Sequence, residues 1–267
     1  MDKSVLVLRL AGPLQSWGSR SQHNRRETDL LPSKAGVIGL LAAADGRRRN
    51  DPIEDLLQIS LGVRVDQPGS LLRDFHTVSD LANAPLLSAA VNEKGVQKPT
   101  SPKKFTHVTQ RYYLQDACFV AALQGSADFV LHLTQAMCRP AFPLALGRRS
   151  CVPSQPLVVR NDAEESLVWQ GDLLEVLSKV PWQANAFYQK KRGNQQPVRL
   201  PIMYDNPTGE DTRADVPVSF EPDQRNFASR RVSTGWVDAI WPVGSSETTG
   251  HTHDAFELLG DSYAVPV

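Results

Sequence analysis

The chain has 267 residues, with 29 Lys and Arg against 29 Asp and Glu and a formal net charge of zero. That length buries a sound core and suggests two small domains, while zero net charge argues against a protein that coats nucleic acid indiscriminately. No apolar run of roughly 18 residues and no basic-then-apolar leader occurs, so a cytoplasmic protein with no membrane contact is expected.

The average hides an asymmetry. Residues 205–267 hold eleven acidic residues and four arginines, so residues 1–204 carry 25 basic against 18 acidic residues. Arg9 to Arg49 alone has eight basic and three acidic residues. A locally basic chain with an acidic C-terminal region fits one defined nucleic-acid strand better than bulk adhesion, the alternative being an ordinary solvated basic face. Cys118, Cys138 and Cys151 share no metal-ligand spacing and read as reduced core thiols. No cofactor and no metal are expected.

In chain order, Val5 to Leu10 is a β-branched apolar run of central-strand type, ended by Gly12-Pro13. A polar, basic loop from Gln15 to Leu31 follows. Pro32-Ser33 then opens a helix with Val37, Ile38 and Leu41 at helical spacing and Ser33 as N-cap. A strand, a polar loop and a helix start carrying Lys34 form a place where backbone N–H groups and cations meet an anion, and phosphate is the expected one. Asp51-Pro52-Ile53-Glu54 predicts a capped short helix with Ile53, Leu56 and Leu57. Val63 to Asp66 and Leu71 to Val78 predict a hairpin around Gln67-Pro68-Gly69-Ser70.

From Asp80 to Lys104 periodicity fades, and Lys94, Lys98, Lys103 and Lys104 stand among prolines before strand character returns over Phe105 to Leu114. This excursion reads as a projecting arm, either a plain loop or a thumb. After a turn at Gln115-Asp116, Ala117 to Leu123 is a second buried strand; Ser126 caps a helix with Phe129, Val130, Leu133 and Met137 as its apolar stripe. With Phe142 to Leu146 as the last strand, the order suggests an α+β, ferredoxin-like (RRM-like) βαββαβ unit over residues 1–150. The aromatic signature of an ordinary RRM is missing. Gly147-Arg148-Arg149-Ser150 places a glycine beside two guanidinium forks, a phosphate-gripping pattern that also occurs in ordinary turns. Residues 151–236 read as a smaller, mostly β domain with a helix at Asp172 to Val180 and strands at Val198 to Tyr204 and Val216 to Phe220. Residues 237–267 read as a poorly ordered tail.

The segments LRLAGPLQSWG, PSKAGVIGLLAAADG, RDFHTV, RYYLQDACFVAAL, LGRRSCVPSQPL and RNFASR, collinear from residue 5 to about residue 231, resemble the CasD family of type I-E CRISPR Cascade subunits. The longer region after Gln183 and the tail after Trp236 depart from it. The resemblance implies a member of the repeat-associated RNA-binding superfamily with a ferredoxin-like domain, an inserted β-hairpin thumb (about residues 79–110) and a smaller C-terminal part. It implies a non-catalytic subunit of an antiviral ribonucleoprotein that caps the 5′ handle of the guide crRNA. Its partners would be the backbone, large and other Cascade subunits, with target DNA engaged through the assembled complex. Lys94, Lys98, Lys103 and Lys104 then fall on the partner-binding thumb.

A single-stranded handle offers phosphates, splayed bases and 2′-hydroxyls. Arg20, Arg26, Lys34, Arg148 and Arg149 are the phosphate candidates, with Gly147 and Ser150 in the gripping turn; Gln15, Ser16, Trp17, Arg111 and Tyr112 are candidates for base or sugar contacts. Trp17 can equally close the core beneath its loop, and one of Tyr112 and Tyr113 should pack inward. Arg225, Arg230 and Arg231 either touch RNA or pair with the acidic C-terminal region. The rival reading is a metal-independent endoribonuclease that processes repeat RNA, which needs a base and an acid from among His23, His76, Tyr112 and Lys34. A metal hydrolase built on His251, His253 and Asp254 is weaker still, having no convergent partner.

Overall fold

A computed structural model describes residues 3–18, 24–80, 93, 105–193, 197–221 and 226–242, with residues 78–80 and 105–107 as backbone. The strands are β1 (Lys3–Gln15), β2 (Arg25–Arg26), β3 (Ser60–Gln67), β4 (Ser70–Asp80), β5 (Phe105–Ser126), β6 (Val168–Gln170), β7 (Val198–Asp205), β8 (Asp211–Ser219) and β9 (Asn226–Ala239). The helices are α1 (Lys34–Ala44), α2 (Ala127–Cys138), α3 (Leu173–Lys179) and α4 (Ala186–Arg192). Among the described residues the strands make one sheet in the order β6-β1-β5-β3-β7-β9-β8, with β2 and β4 also paired to β5. All these pairings are antiparallel except β2 with β5.

The period-2 alternation of β1 sorts its side chains onto two faces. Leu6, Leu8 and Leu10 join Val37, Ile38 and Leu41 of α1 and Val130, Leu133 and Met137 of α2 in one core. Val5 and Val7 meet Leu173, Val176 and Leu177 of α3 on the other side. Ser33 caps α1 as expected, its hydroxyl accepting from the Gly36 N–H at 3.2 Å. Trp182, Ala184, Val198, Leu200 and Ala239 form a third, smaller cluster.

Several local expectations change. β1 runs through Gly12-Pro13 to Gln15, because Pro13 stands opposite Asp116, between the pairs Gly12–Ala117 and Leu14–Gln115, where no ladder bond is made. Asp51 does not start a helix: its carboxylate accepts from the Arg48 N–H at 2.7 Å, and only a 3₁₀ turn forms at Leu56–Gln58 before β3. Phe142 to Leu146 is coil; Pro143 interrupts it, and Leu146 dives into the core. The free edge of β1 is instead covered by Leu157–Val159, through Arg9 N–H to Leu157 O (2.6 Å) and Val159 N–H to Val7 O (2.9 Å), and by β6.

The Pro68-Gly69 segment is not a hairpin turn. β3 and β4 do not pair with each other; both lie along β5, β3 on its second half and β4 on its first. β5 is correspondingly one 22-residue strand with no reversal at Gln115-Asp116. The two predicted turns are facing kinks. Asp116 has φ 55 and Gly69 has φ 70, and a Cβ on Gly69 would lie 2.5 Å from the Gln115 carbonyl. Gln67 Nε2 locks the kink by donating to the Asp116 carbonyl at 2.6 Å and carboxylate at 2.9 Å. Beyond it β4 and β5 pair out to Asp80–Phe105, so they form the stem of a projecting hairpin. Lys94, Lys98, Lys103 and Lys104 lie outside the described residues, as do residues 243–267 of the expected tail.

β9 starts within the basic RNFASR segment and runs past Val237, where little pattern was expected, and β7 joins the C-terminal strands to β3 through Gly62–Tyr204 to Arg64–Ile202. A buried charge pair anchors this junction. Arg64 and Asp66 are both fully buried; Nε and Nη2 of Arg64 meet the carboxylate at 2.7 and 2.8 Å. The guanidinium also donates to the carbonyls of Leu177, Val180 (2.7 Å) and Pro181 (3.0 Å), which end α3. Every donor is used, the condition under which a buried ion pair is tolerated.

Candidate nucleic-acid interface

Three segments distant in sequence meet at the C-terminal end of β1. Gly147 makes this possible. Its φ is +93 and a Cβ there would lie 1.7 Å from the Ser16 carbonyl, so only glycine lets the 146–151 turn close on the loop after β1. Ser16 N–H donates to Leu146 O at 3.0 Å, and Leu146 N–H to Cys151 O at 2.7 Å. Ser16 Oγ donates to Tyr112 O in the hairpin stem at 3.3 Å.

Arg148 ties the three pieces together. Nη1 donates to Tyr112 O at 3.0 Å, and Nη2 to Arg26 O at 2.7 Å and Glu27 O at 3.3 Å, with the guanidinium 4.7 Å from the centre of the buried Tyr113 ring. Tyr112, on the opposite face of β5 from Tyr113, keeps its ring partly exposed beneath the Arg25 guanidinium at 5.3 Å. One tyrosine packs inward and the other does not. Arg26, Gly147, Arg149 and Ser150 are exposed on the same rim, and Arg111 reaches Thr109 Oγ1 at 3.4 Å. The result is a cationic, aromatic rim able to hold phosphates and stack a base.

Other expected contacts turn inward. Gln15 is fully buried; Nε2 donates to Leu10 O (2.9 Å) and Ala117 O (2.7 Å), and Oε1 accepts from Trp17 Nε1 (3.0 Å). Trp17 is 1% exposed and closes the core, so neither side chain reaches a base. Ser16 is also buried.

Lys34 is not a phosphate grip: its Nζ lies 2.9 Å from Asp205 Oδ2, buried, and its N–H donates to Asp215 Oδ2 at 2.9 Å. The protein's own carboxylate occupies the start of α1. Arg230 completes this cluster rather than facing RNA, with Nε 2.7 Å from Asp215 Oδ1 and Nη1 on Asp205. Burial pushes the Asp215 carboxyl up, but Arg230 and the Lys34 N–H more than reverse this and hold it below the usual carboxylate range. Arg231 donates to Gly209 O at 2.8 Å. Arg20, His23 and Arg225 lie outside the described residues. Cys138 is exposed while Cys118 and Cys151 are buried, where burial pushes both thiols up.

The described nuclease candidates His76, Tyr112 and Lys34 stand apart. His76 pairs with Thr109 on one face of the stem, and Tyr112 with Arg73 on the other. With Lys34 held by Asp205, the three do not converge.

The chain is thus a mixed α/β protein built on one large antiparallel sheet, with a glycine-closed turn carrying cations at a strand end. Residues 5–233 match the family described as CRISPR-associated protein (Cas_Cas5), and the chain belongs to that family. It is 33% identical over 169 residues, covering 58% of this chain and 70% of the relative, to the CRISPR system Cascade subunit CasD of Escherichia coli (strain K12). A solved CRISPR RNA-guided surveillance complex contains a chain that is 30% identical with a TM-score of 0.65, covering 88% of this chain and 90% of that one. A solved Cas protein is 31% identical with a TM-score of 0.64, covering 89% of this chain and 98% of that one. No described helix is long and apolar enough to cross a membrane.

Proposed function

We propose that this chain is a non-catalytic, cytoplasmic subunit of a type I-E Cascade complex that holds and caps the 5′ handle of the guide crRNA. The observation that carries this reading is the rim where Arg25, Arg26, Tyr112, Arg148 and Arg149 converge on the Gly147 turn. Family membership supports it, as do the relatives named for Cascade and for an RNA-guided complex. Within the rim, Arg148 organises, while Arg26, Arg149 and Ser150 face phosphate and Tyr112 faces a base or sugar.

The order β6-β1-β5-β3, with α1 and α2 on one face, supports a ferredoxin-like reading of residues 1–150, the fourth strand being β6 from beyond that boundary. Residues 151–236 then form the smaller C-terminal part. The β4–β5 stem supports the thumb, which reaches the adjacent backbone subunit; the large subunit and target DNA are met through the assembled complex. The test is guide retention by complexes assembled with Arg149→Glu and Arg26→Glu. Loss of the guide with the fold intact is expected; retention equal to wild type overturns the assignment.

A further inference from the structure

The edges of the sheet are not built alike. Among the described residues its edge strands are β2, β4, β6 and β8. β2 and β6 are two and three residues long, and β8 carries Pro217 and two breaks of register, features that keep an edge from pairing with another chain. β4 has none of them. It is eleven residues long, contains no proline and keeps an unbroken register with β5 from Ser70–Gln115 to Asp80–Phe105.

The hydrogen bonds of β5 fix which way β4 turns its main chain. Gln110 N–H donates to Asn24 O at 2.8 Å, and Tyr112 O accepts from Ser16 Oγ and Arg148 Nη1, all on the side of β5 away from β4. Phe75 and Arg73 stand opposite Gln110 and Tyr112. In an antiparallel ladder these are therefore the non-hydrogen-bonded pairs, and Phe75 and Arg73 turn their own N–H and C=O groups to the open edge. Leu71 and Thr77 follow with the same period. The side chains of all four are exposed, Phe75 at 66%. A row of outward main-chain donors and acceptors beside an exposed ring is completed by an extended strand rather than by nucleic acid.

β4 is complementary to itself. Two copies laid antiparallel about Phe75 set Phe75 against Phe75 and Arg73 against Thr77, with about six main-chain bonds over residues 73–77. On the other face Asp74 then meets the partner's His76, twice by symmetry; within one strand the same two side chains lie 3.7 Å apart. Sliding by two residues sets Asp74 against Asp74 or His76 against His76, and centring on Arg73 sets two guanidinium groups together, so the register about Phe75 is favoured over these. We infer that the free chain forms a two-fold dimer by pairing the open edge of β4 with β4 of a second copy, in the register centred on Phe75.

The test is sedimentation velocity of the full chain from about 1 to 100 µM, where a monomer–dimer equilibrium that shifts with concentration is expected. Phe75→Pro removes an outward donor and no bond to β5, so it weakens dimerisation at least about tenfold while the circular dichroism of the monomer is kept. His76→Asp replaces both cross-strand pairs by like charges and weakens it about tenfold; adding Asp74→His to the same chain restores it, which a merely structural role for either side chain would not allow. If Phe75→Pro fails to fold, the loss in His76→Asp and its rescue decide the matter. A chain that stays monomeric at about 100 µM overturns the inference, and so does a dimer indifferent to these variants. If Phe75→Pro instead costs the assembled complex its guide or a subunit while the chain alone is monomeric, the edge belongs to that partner and self-pairing is refuted. Guide retention in Arg149→Glu reads the rim and not this edge, so the two assignments fail separately.

Discussion

Arg148 should behave as a tie rather than as a simple positive charge, and replacing it by lysine tests this. Its guanidinium serves three carbonyls, those of Tyr112, Arg26 and Glu27, and stacks on Tyr113. A lysine keeps the charge but cannot place rigid, forked donors toward two segments at once. Charge-assisted hydrogen bonds are worth about 1.5–3 kcal/mol when buried. At this half-exposed position about 1 kcal/mol each is reasonable for the two short ones and less for the one at 3.3 Å, with about 0.5–1 kcal/mol from the ring. Arg148→Lys should thus loosen the 24–29 loop by about 2–3 kcal/mol, and Arg148→Ala by little more. Amide hydrogen exchange reads this directly, as a rise in opening of about 30- to 150-fold for the Asp29 N–H, which donates to Trp17 O, and the Gln110 N–H, which donates to Asn24 O. By contrast, Arg149→Ala should leave exchange unchanged and weaken only the guide contact. Wild-type protection in Arg148→Lys would refute the tie.

Gln15→Leu should destabilise the fold by about 2–4 kcal/mol in chemical denaturation, because it leaves the Trp17 N–H and the Leu10 and Ala117 carbonyls without their buried partner; an unchanged midpoint would count against Gln15 as a core residue. Gly69→Ala should cost at least about 1 kcal/mol from the positive φ alone, with the overlap on Gln115 O added, and a neutral result would show that the kink relaxes. Since the folded Asp215 carboxyl is held below its unfolded value, its contribution is full above about pH 4 and is lost as pH falls through the lowered value. Asp215→Asn should therefore flatten the acid limb of stability against pH, measured by thermal unfolding. Purified protein given labelled repeat RNA in EDTA should produce no specific cuts; cuts that vanish in His76→Ala or Tyr112→Phe would restore the nuclease reading.

What the residues disclosed, and what they hid, follows from the range of the forces involved. The start of α1 was legible because capping is local: Ser33 and the apolar spacing suffice. That the chain turns closely at Gly147 was legible from a glycine beside two arginines, while the Ser16 carbonyl it closes on lies 131 positions earlier and carries no signal. The fate of Lys34 was not legible, since its partners Asp205 and Asp215 lie 171 and 181 positions away and carry no local signature. Gln15 and Trp17 read as polar and aromatic loop residues, yet they satisfy each other two residues apart and so can be buried. The kinks at Gly69 and Asp116 looked like turns because proline, glycine and aspartate mark both, and only pairing to a shared neighbour separates a bend from a reversal. α4 went unseen although Asn185, a basic last turn and Gly193 mark both its ends. β9 was hidden because a basic motif and small polar residues mask its alternation.

The place of β1 in the sheet also sets when this protein can become itself. β1 is made well before its partners: its neighbour β5 is complete only at Ser126 and the strand on its other side only at Gln170. Until then an apolar strand has no ladder on either edge, and the β7–β9 sheet that anchors Lys34 arrives later still. Such long-range pairing is slow and exposes edges to misassembly. Synthesis rate, and the nearness of whatever first covers that edge, should govern yield as strongly as the stability of the finished sheet.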